Sequence, residues 1–145
     1  IAQVRGLGQM LMDADVPIVR PVGGHAVYID SRHFAPHIPT DQFPGQALVA
    51  VLYRDYGIRA VEVGALMFGH ADPATGEPVL PRLDLVRLAI PRRVYTSEQI
   101  RYVGQSVIEI FRGRERLRGL RITYEAPVLR HFTARLEPVE PVPAR

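Results

Sequence analysis

The chain has 145 residues, of which 47% are hydrophobic and 23% charged, with a formal net charge of +3; this is enough apolar side chain for one compact unit with its own core. It has no cysteine, which excludes disulfides, thiolate metal centres and thiol nucleophiles and makes a reducing cytoplasm the expected setting. No apolar run is long enough to cross a bilayer, and the 18 basic residues are spread among 15 acids, so neither a membrane nor a nucleic-acid partner is expected.

In chain order, Ile1, Val4, Leu7 and Leu11 recur at helical spacing, which predicts a helix within residues 1–16 packed on one face. Because the chain opens at Ile1 inside that helix, a longer polypeptide is expected upstream. Pro17, Pro21 and Gly23-Gly24 then break the chain before a strand from His25 to Ile29. Asp41 is expected to cap a helix with Pro44 in its first turn and Gly57 beyond its end, turning Ala47, Leu48, Val51, Leu52 and Tyr56 inward. Arg59 to Val63 reads as a short strand, and Asp72-Pro73-Ala74-Thr75-Gly76-Glu77-Pro78 as a surface turn.

The run Leu85-Val86-Arg87-Leu88-Ala89-Ile90 is a strand with a cation inside it. A guanidinium stays charged and pairs two-for-two with a carboxylate, so an anion is expected to meet Arg87, either a protein acid or a substrate acid; the residues alone equally allow an arginine on the wet face of a half-exposed strand. After Pro91, the sequence Thr96-Ser97-Glu98-Gln99 has the form of a capping box, opening a helix that buries Ile100, Val103, Val107, Ile108 and Phe111. The arginines between Arg112 and Arg118 fall where that helix ends, a position that favours cations. Leu120 to Tyr124 and Leu129 to Leu136 read as closing strands. The expectation is an α+β unit over residues 1–137, an open and largely antiparallel sheet with helices on one face, followed by an extended Pro-rich tail at 138–145.

Other candidates carry less. His33 and His37 are separated by Pro36 without a third ligand, so no metal is assigned. His25, at a strand start, fits a buried hydrogen-bonding role. Gly6-Leu7-Gly8 lacks the third glycine and the preceding strand of a dinucleotide site.

Four blocks carry a resemblance: Pro21-Val22-Gly23-Gly24-His25-Ala26-Val27-Tyr28-Ile29-Asp30, Asp41-Gln42-Phe43-Pro44-Gly45-Gln46-Ala47-Leu48, Arg118-Gly119-Leu120-Arg121-Ile122-Thr123-Tyr124-Glu125 and Leu129-Arg130-His131-Phe132-Thr133-Ala134-Arg135. With the Arg87 run between them, they resemble the carboxyl-terminal part of the β-eliminating lyases, the family of tryptophanase and tyrosine phenol-lyase. The resemblance implies the small domain of the aminotransferase-like type I fold, pyridoxal phosphate as cofactor, an aromatic amino acid as substrate, activation by potassium or another monovalent cation, and a homotetramer that includes a large domain of the same polypeptide. It places Arg87 on the substrate α-carboxylate. It places His131 near the substrate side chain, where tryptophanases carry histidine and tyrosine phenol-lyases phenylalanine. Val63 falls where tyrosine phenol-lyases carry an arginine for the phenol, and an aliphatic residue there favours indole. Arg92 and Arg93 are expected to serve the surface or a neighbouring subunit.

The resemblance also limits this chain. All 18 basic residues are arginine, and an arginine cannot form the Schiff base that holds pyridoxal phosphate. The cofactor amine is therefore expected upstream, and the isolated chain is expected to be inactive. Tryptophan cleavage to indole, pyruvate and ammonia is the leading expectation. Phenol release from tyrosine and a non-catalytic interaction module are the alternatives.

Overall fold

A computed structural model describes residues 1–91 and 94–140; Arg92, Arg93 and tail residues 141–145, assigned above to a surface role and an extended tail, lie outside the described residues. Helix α1 (Ala2–Asp13) buries Val4, Leu7 and Leu11, as their spacing requires, whereas Ile1 is exposed. Strand β1 (Ala26–Asp30) follows, and the Asp30 carboxylate accepts the His33 N–H to start the single turn α2 (Ser31–Phe34).

Helix α3 (Pro44–Tyr56) has Pro44 at its start, and Gly57 at φ 67° closes it. Asp41, expected to cap it, does not. It lies in a separate 3-10 turn, Thr40–Gln42, and Phe43 at φ 55° separates that turn from α3. Ala47, Leu48 and Leu52 are buried as expected, while Val51 and Tyr56 are only half-buried.

Strand β2 (Val61–Val63), the single turn α4 (Ala65–Phe68) and the hairpin of β3 (His70–Ala71) and β4 (Pro78–Val79) lead to β5 (Leu85–Ala89). The hairpin tip is the expected surface turn: the Asp72 carboxylate accepts the Ala74 and Thr75 N–H groups at 2.7 and 3.2 Å. Helix α5 (Ser97–Arg112) opens with the full capping box, Thr96 Oγ1 accepting from Gln99 N–H and Gln99 Oε1 accepting from Thr96 N–H, an arrangement that contributes about 1 kcal/mol. Beyond its end, Arg114 donates to the Phe111 carbonyl at 2.9 Å and lies over the Phe111 ring, so one of the clustered arginines completes a helix terminus.

Strand β6 (Leu120–Tyr124) is as expected, but the strand read from Leu129 to Leu136 is not. Arg130–Thr133 forms a single helical turn, α6, and only Arg135–Pro138 is strand, β7. Leu129 at φ 55° turns the chain, and Thr133 Oγ1 donates back to the Leu129 carbonyl, a local bond that competes with a ladder. Val139 N–H also donates to the Gly119 carbonyl, so the first residues of the supposed tail are paired.

The open sheet resolves into three antiparallel pieces: β1-β5-β2, the β3-β4 hairpin and the β6-β7 ribbon. In the first, Tyr28 and Val61 flank Arg87, while Ile29 and Glu62 flank Val86. Alternation therefore gives two faces. Val27, Ile29, Glu62, Val86 and Leu88 point into the core beneath α1, α3 and α5, and Tyr28, Val63 and Arg87 occupy the less buried face. The architecture is mixed helix and antiparallel sheet. No described helix is long and apolar enough to cross a membrane.

Candidate substrate-binding site

Arg87 sits at the middle of the central strand, half-buried. Its Nε is buried and has no hydrogen-bond partner, and among the described residues no acid pairs with the guanidinium. A buried donor left unpaired costs roughly 1–3 kcal/mol, a cost that an acceptor from outside the chain, water or a ligand, would offset. The other arginine with a buried, unpartnered Nε, Arg32, differs: its remaining nitrogens donate to the carbonyls of Arg82 and Pro81. Arg32 is tied to a loop; Arg87 is left facing outward.

Val63 shares that open face. It stands opposite Leu85, two residues along β5 from Arg87, a diagonal spacing of about 7–8 Å between neighbouring strands. The sheet thus brings a guanidinium fork and an apolar side chain onto one surface. His131 comes from a different element. It lies in α6, half-buried, with its ring 4.0 Å from that of Phe132 at an interplanar angle of 44°. It makes no hydrogen bond to Arg87 among the described residues, and α6 reaches this region by packing on α4, which follows Val63 and Gly64 directly.

Sequence reasoning missed the acids that hold these elements. Asp84, buried just before β5, accepts N–H groups near the starts of two helices, from Gly45 of α3 at 3.1 Å and from Ala65 of α4 at 3.3 Å; its carbonyl accepts from the N–H and hydroxyl of Ser31, the first residue of α2. Glu62, also buried, accepts the Leu66 and Met67 N–H groups at 2.9 and 3.1 Å. Burial, the largest cause, pushes the Glu62 carboxyl up to about 7; the neighbouring Asp84 carboxyl adds to the rise and the two amides oppose it. A side chain at Gly64 would collide with Asp84, which is why the turn between Val63 and α4 is glycine. The signal in the sequence was an acid flanked by apolar residues, in Val61-Glu62-Val63 and again in Leu83-Asp84-Leu85. A plain alternation reading turns such acids outward.

The remaining histidines serve local structure. His33 Nδ1 lies 2.8 Å from the Asp30 carboxylate, and His37 Nε2 lies 2.8 Å from the Leu117 carbonyl. His25 is exposed, contrary to the buried role expected for it, and only its carbonyl is used, accepting from Ile90 N–H.

No family model matches the chain. It is 55% identical over 139 residues, 96% of its length, to a tyrosine phenol-lyase of Symbiobacterium thermophilum, and 50% identical over 137 residues, 94% of its length, to a tyrosine phenol-lyase of Nostoc punctiforme. It is also 47% identical over 145 residues, 98% of its length, to a probable tryptophanase of Aeropyrum pernix. The chain spans 30%, 29% and 31% of the lengths of these three relatives.

Proposed function

Since this chain belongs to the family of tyrosine phenol-lyase and tryptophanase, we propose that it is the substrate-clamping small domain of a type I pyridoxal-phosphate enzyme that splits L-tryptophan with water into indole, pyruvate and ammonia. One observation carries the reading: the buried, unpartnered Nε of Arg87 on an otherwise apolar central strand. The guanidinium binds the α-carboxylate of the amino acid through two parallel N–H···O bonds, and this fixes the direction of the substrate's Cα–H bond. Val63 offers apolar contact to the aromatic ring, and His131 orients the groups at its far end. Proton transfer at Cα belongs to groups outside the chain.

Pyridoxal phosphate is implied by the family and supplies an electron sink at Cα when bound. The residues present do not fit the cofactor's anchor, because the chain has no lysine. This part of the polypeptide therefore handles substrate and depends on the remainder for cofactor and for turnover. A cytoplasmic homotetramer activated by potassium completes the proposal.

Release of phenol from L-tyrosine is the second reading, and the 55% identity to a tyrosine phenol-lyase favours it; Val63 and His131 favour tryptophan. Product analysis on the full-length polypeptide, given pyridoxal phosphate, potassium and either amino acid, separates the two. Indole without phenol is expected, and Arg87→Ala is expected to lower kcat/KM by about a hundredfold or more through loss of a charge-assisted pair. Phenol as the main product would overturn the tryptophan reading, and an unimpaired Arg87→Ala variant would overturn the clamp.

A further inference from the structure

The segment between β6 and β7 is poorly anchored by apolar contact: Val128, Leu129 and Phe132 are 70, 61 and 78% exposed. Its backbone bonds are internal, Phe132 and Thr133 N–H donating to the Leu129 carbonyl and Ala134 N–H to that of Arg130. Ala134 packs against the core, and among the described residues the segment's side-chain hydrogen bonds to the rest of the molecule come from Arg130. Nε donates to the Leu66 carbonyl at 3.1 Å and Nη2 to the Ala65 carbonyl at 2.9 Å, while Nη1 lies 3.7 Å from the Glu125 carboxylate. The guanidinium also stands 5.6 Å from the centre of the Phe43 ring, and the side chain is only 19% exposed. All three nitrogens are thus engaged, and both carbonyls belong to the turn that follows Val63 and Gly64.

We propose that Arg130 is a positioning residue that bolts the His131 segment to the turn after Val63, so that the two side chains assigned to the substrate's aromatic end keep one fixed relation. This rests on the lyase reading above. The planar fork of arginine meets two carbonyls of successive residues at once. A lysine at that point has the charge but a single nitrogen, and cannot span both carbonyls and Glu125. Arg130 acts on the aromatic end of the substrate, through α4 and α6, and leaves the Arg87 clamp on the central strand untouched. A substrate whose leaving group needs no aromatic pocket should therefore be indifferent to it.

The test compares L-tryptophan with β-chloro-L-alanine, which loses chloride from Cβ and a proton from Cα, then yields pyruvate and ammonia on hydrolysis. In the full-length polypeptide, Arg130→Lys is expected to lower kcat/KM for tryptophan by about 10- to 100-fold, the scale of an ångström-level misplacement, with β-chloroalanine turnover changed by less than about threefold. Amide exchange at Phe132, Thr133 and Ala134 is expected to quicken in the same variant. Equal losses on both substrates, or no loss on either, would overturn the inference and leave the lyase reading standing. Absence of turnover in the unaltered protein would sink both. Should Arg130→Lys fail to fold, Glu125→Gln removes one of the three contacts, and the same substrate contrast, in smaller measure, decides the matter.

Discussion

Val63 and Arg87 stand on one face of the central sheet within a diagonal of each other, so a change at 63 is expected to be felt by the substrate that the proposal gives to Arg87. Val63→Arg places a cation where the proposal puts the apolar contact to an indole ring, and desolvating that cation without an acceptor costs several kcal/mol. The expected outcome is a loss of at least about tenfold in kcat/KM for tryptophan together with a gain in phenol release from tyrosine, read from the ratio of the two products. Unchanged product ratios would remove position 63 from the discrimination. Arg87 stood out in the sequence as a cation interrupting Leu-Val-x-Leu-Ala-Ile, but only the family pattern around it set a substrate role above an ion pair or a wet strand face; that no acid among the described residues pairs with it was not legible, since pairing depends on which acids the fold brings near. The nearby acids are in fact directed at backbone amides. Arg130 escaped notice for the opposite reason: on an exposed segment it reads as a solvated charge, and its acceptors lie 64 and 65 residues away.

Where an element's signal is local, the sequence declares it. The capping box of α5, the proline that opens α3 and the glycine that closes it all lie within a few residues of the ends they define. The caps supplied from a distance were invisible: Asp41 sits next to α3 yet leaves it uncapped, and Asp84, 39 residues from Gly45, takes that amide instead. The strand expected through Leu129–Leu136 failed similarly, because its first half is held by a guanidinium reaching α4. The buried acids at the start of α4 make their own prediction. Glu62 rises from 4.5 to about 7 on folding, so the native state holds a proton that the unfolded chain releases earlier. This contribution is complete below about pH 4.5 and is lost as pH rises through 7, an effect on the order of 2–3 kcal/mol between pH 5 and 8. Denaturant unfolding across that range should show falling stability in the unaltered protein and a flatter profile for Glu62→Gln, whose amide keeps an acceptor for the Leu66 N–H and a donor for Asp84. Parallel profiles would mean that Glu62 does not hold the proton.

On the scale of the whole molecule, the core is continuous beneath α1, α3 and α5, yet Val128, Leu129 and Phe132 stand exposed on one short segment, with Phe68 of α4 57% exposed as well. Apolar side chains gathered in this way favour association with another surface. The 145-residue chain on its own is expected to associate with rising concentration, and the double change Leu129→Ser and Phe132→Ser to shift sedimentation toward the monomer; no difference between the two would argue against a sticky segment. The order β1-β5-β2 has a temporal side too. The strand bearing Arg87 lies between two partners that precede it in the chain, so during synthesis β1 and β2 leave the ribosome with no partner to pair, and the sheet cannot begin to close until residues 85–89 emerge. The residue assigned to grip the substrate thus rides on the segment whose arrival completes the sheet, and a nascent chain stalled before it has open strand edges that invite association.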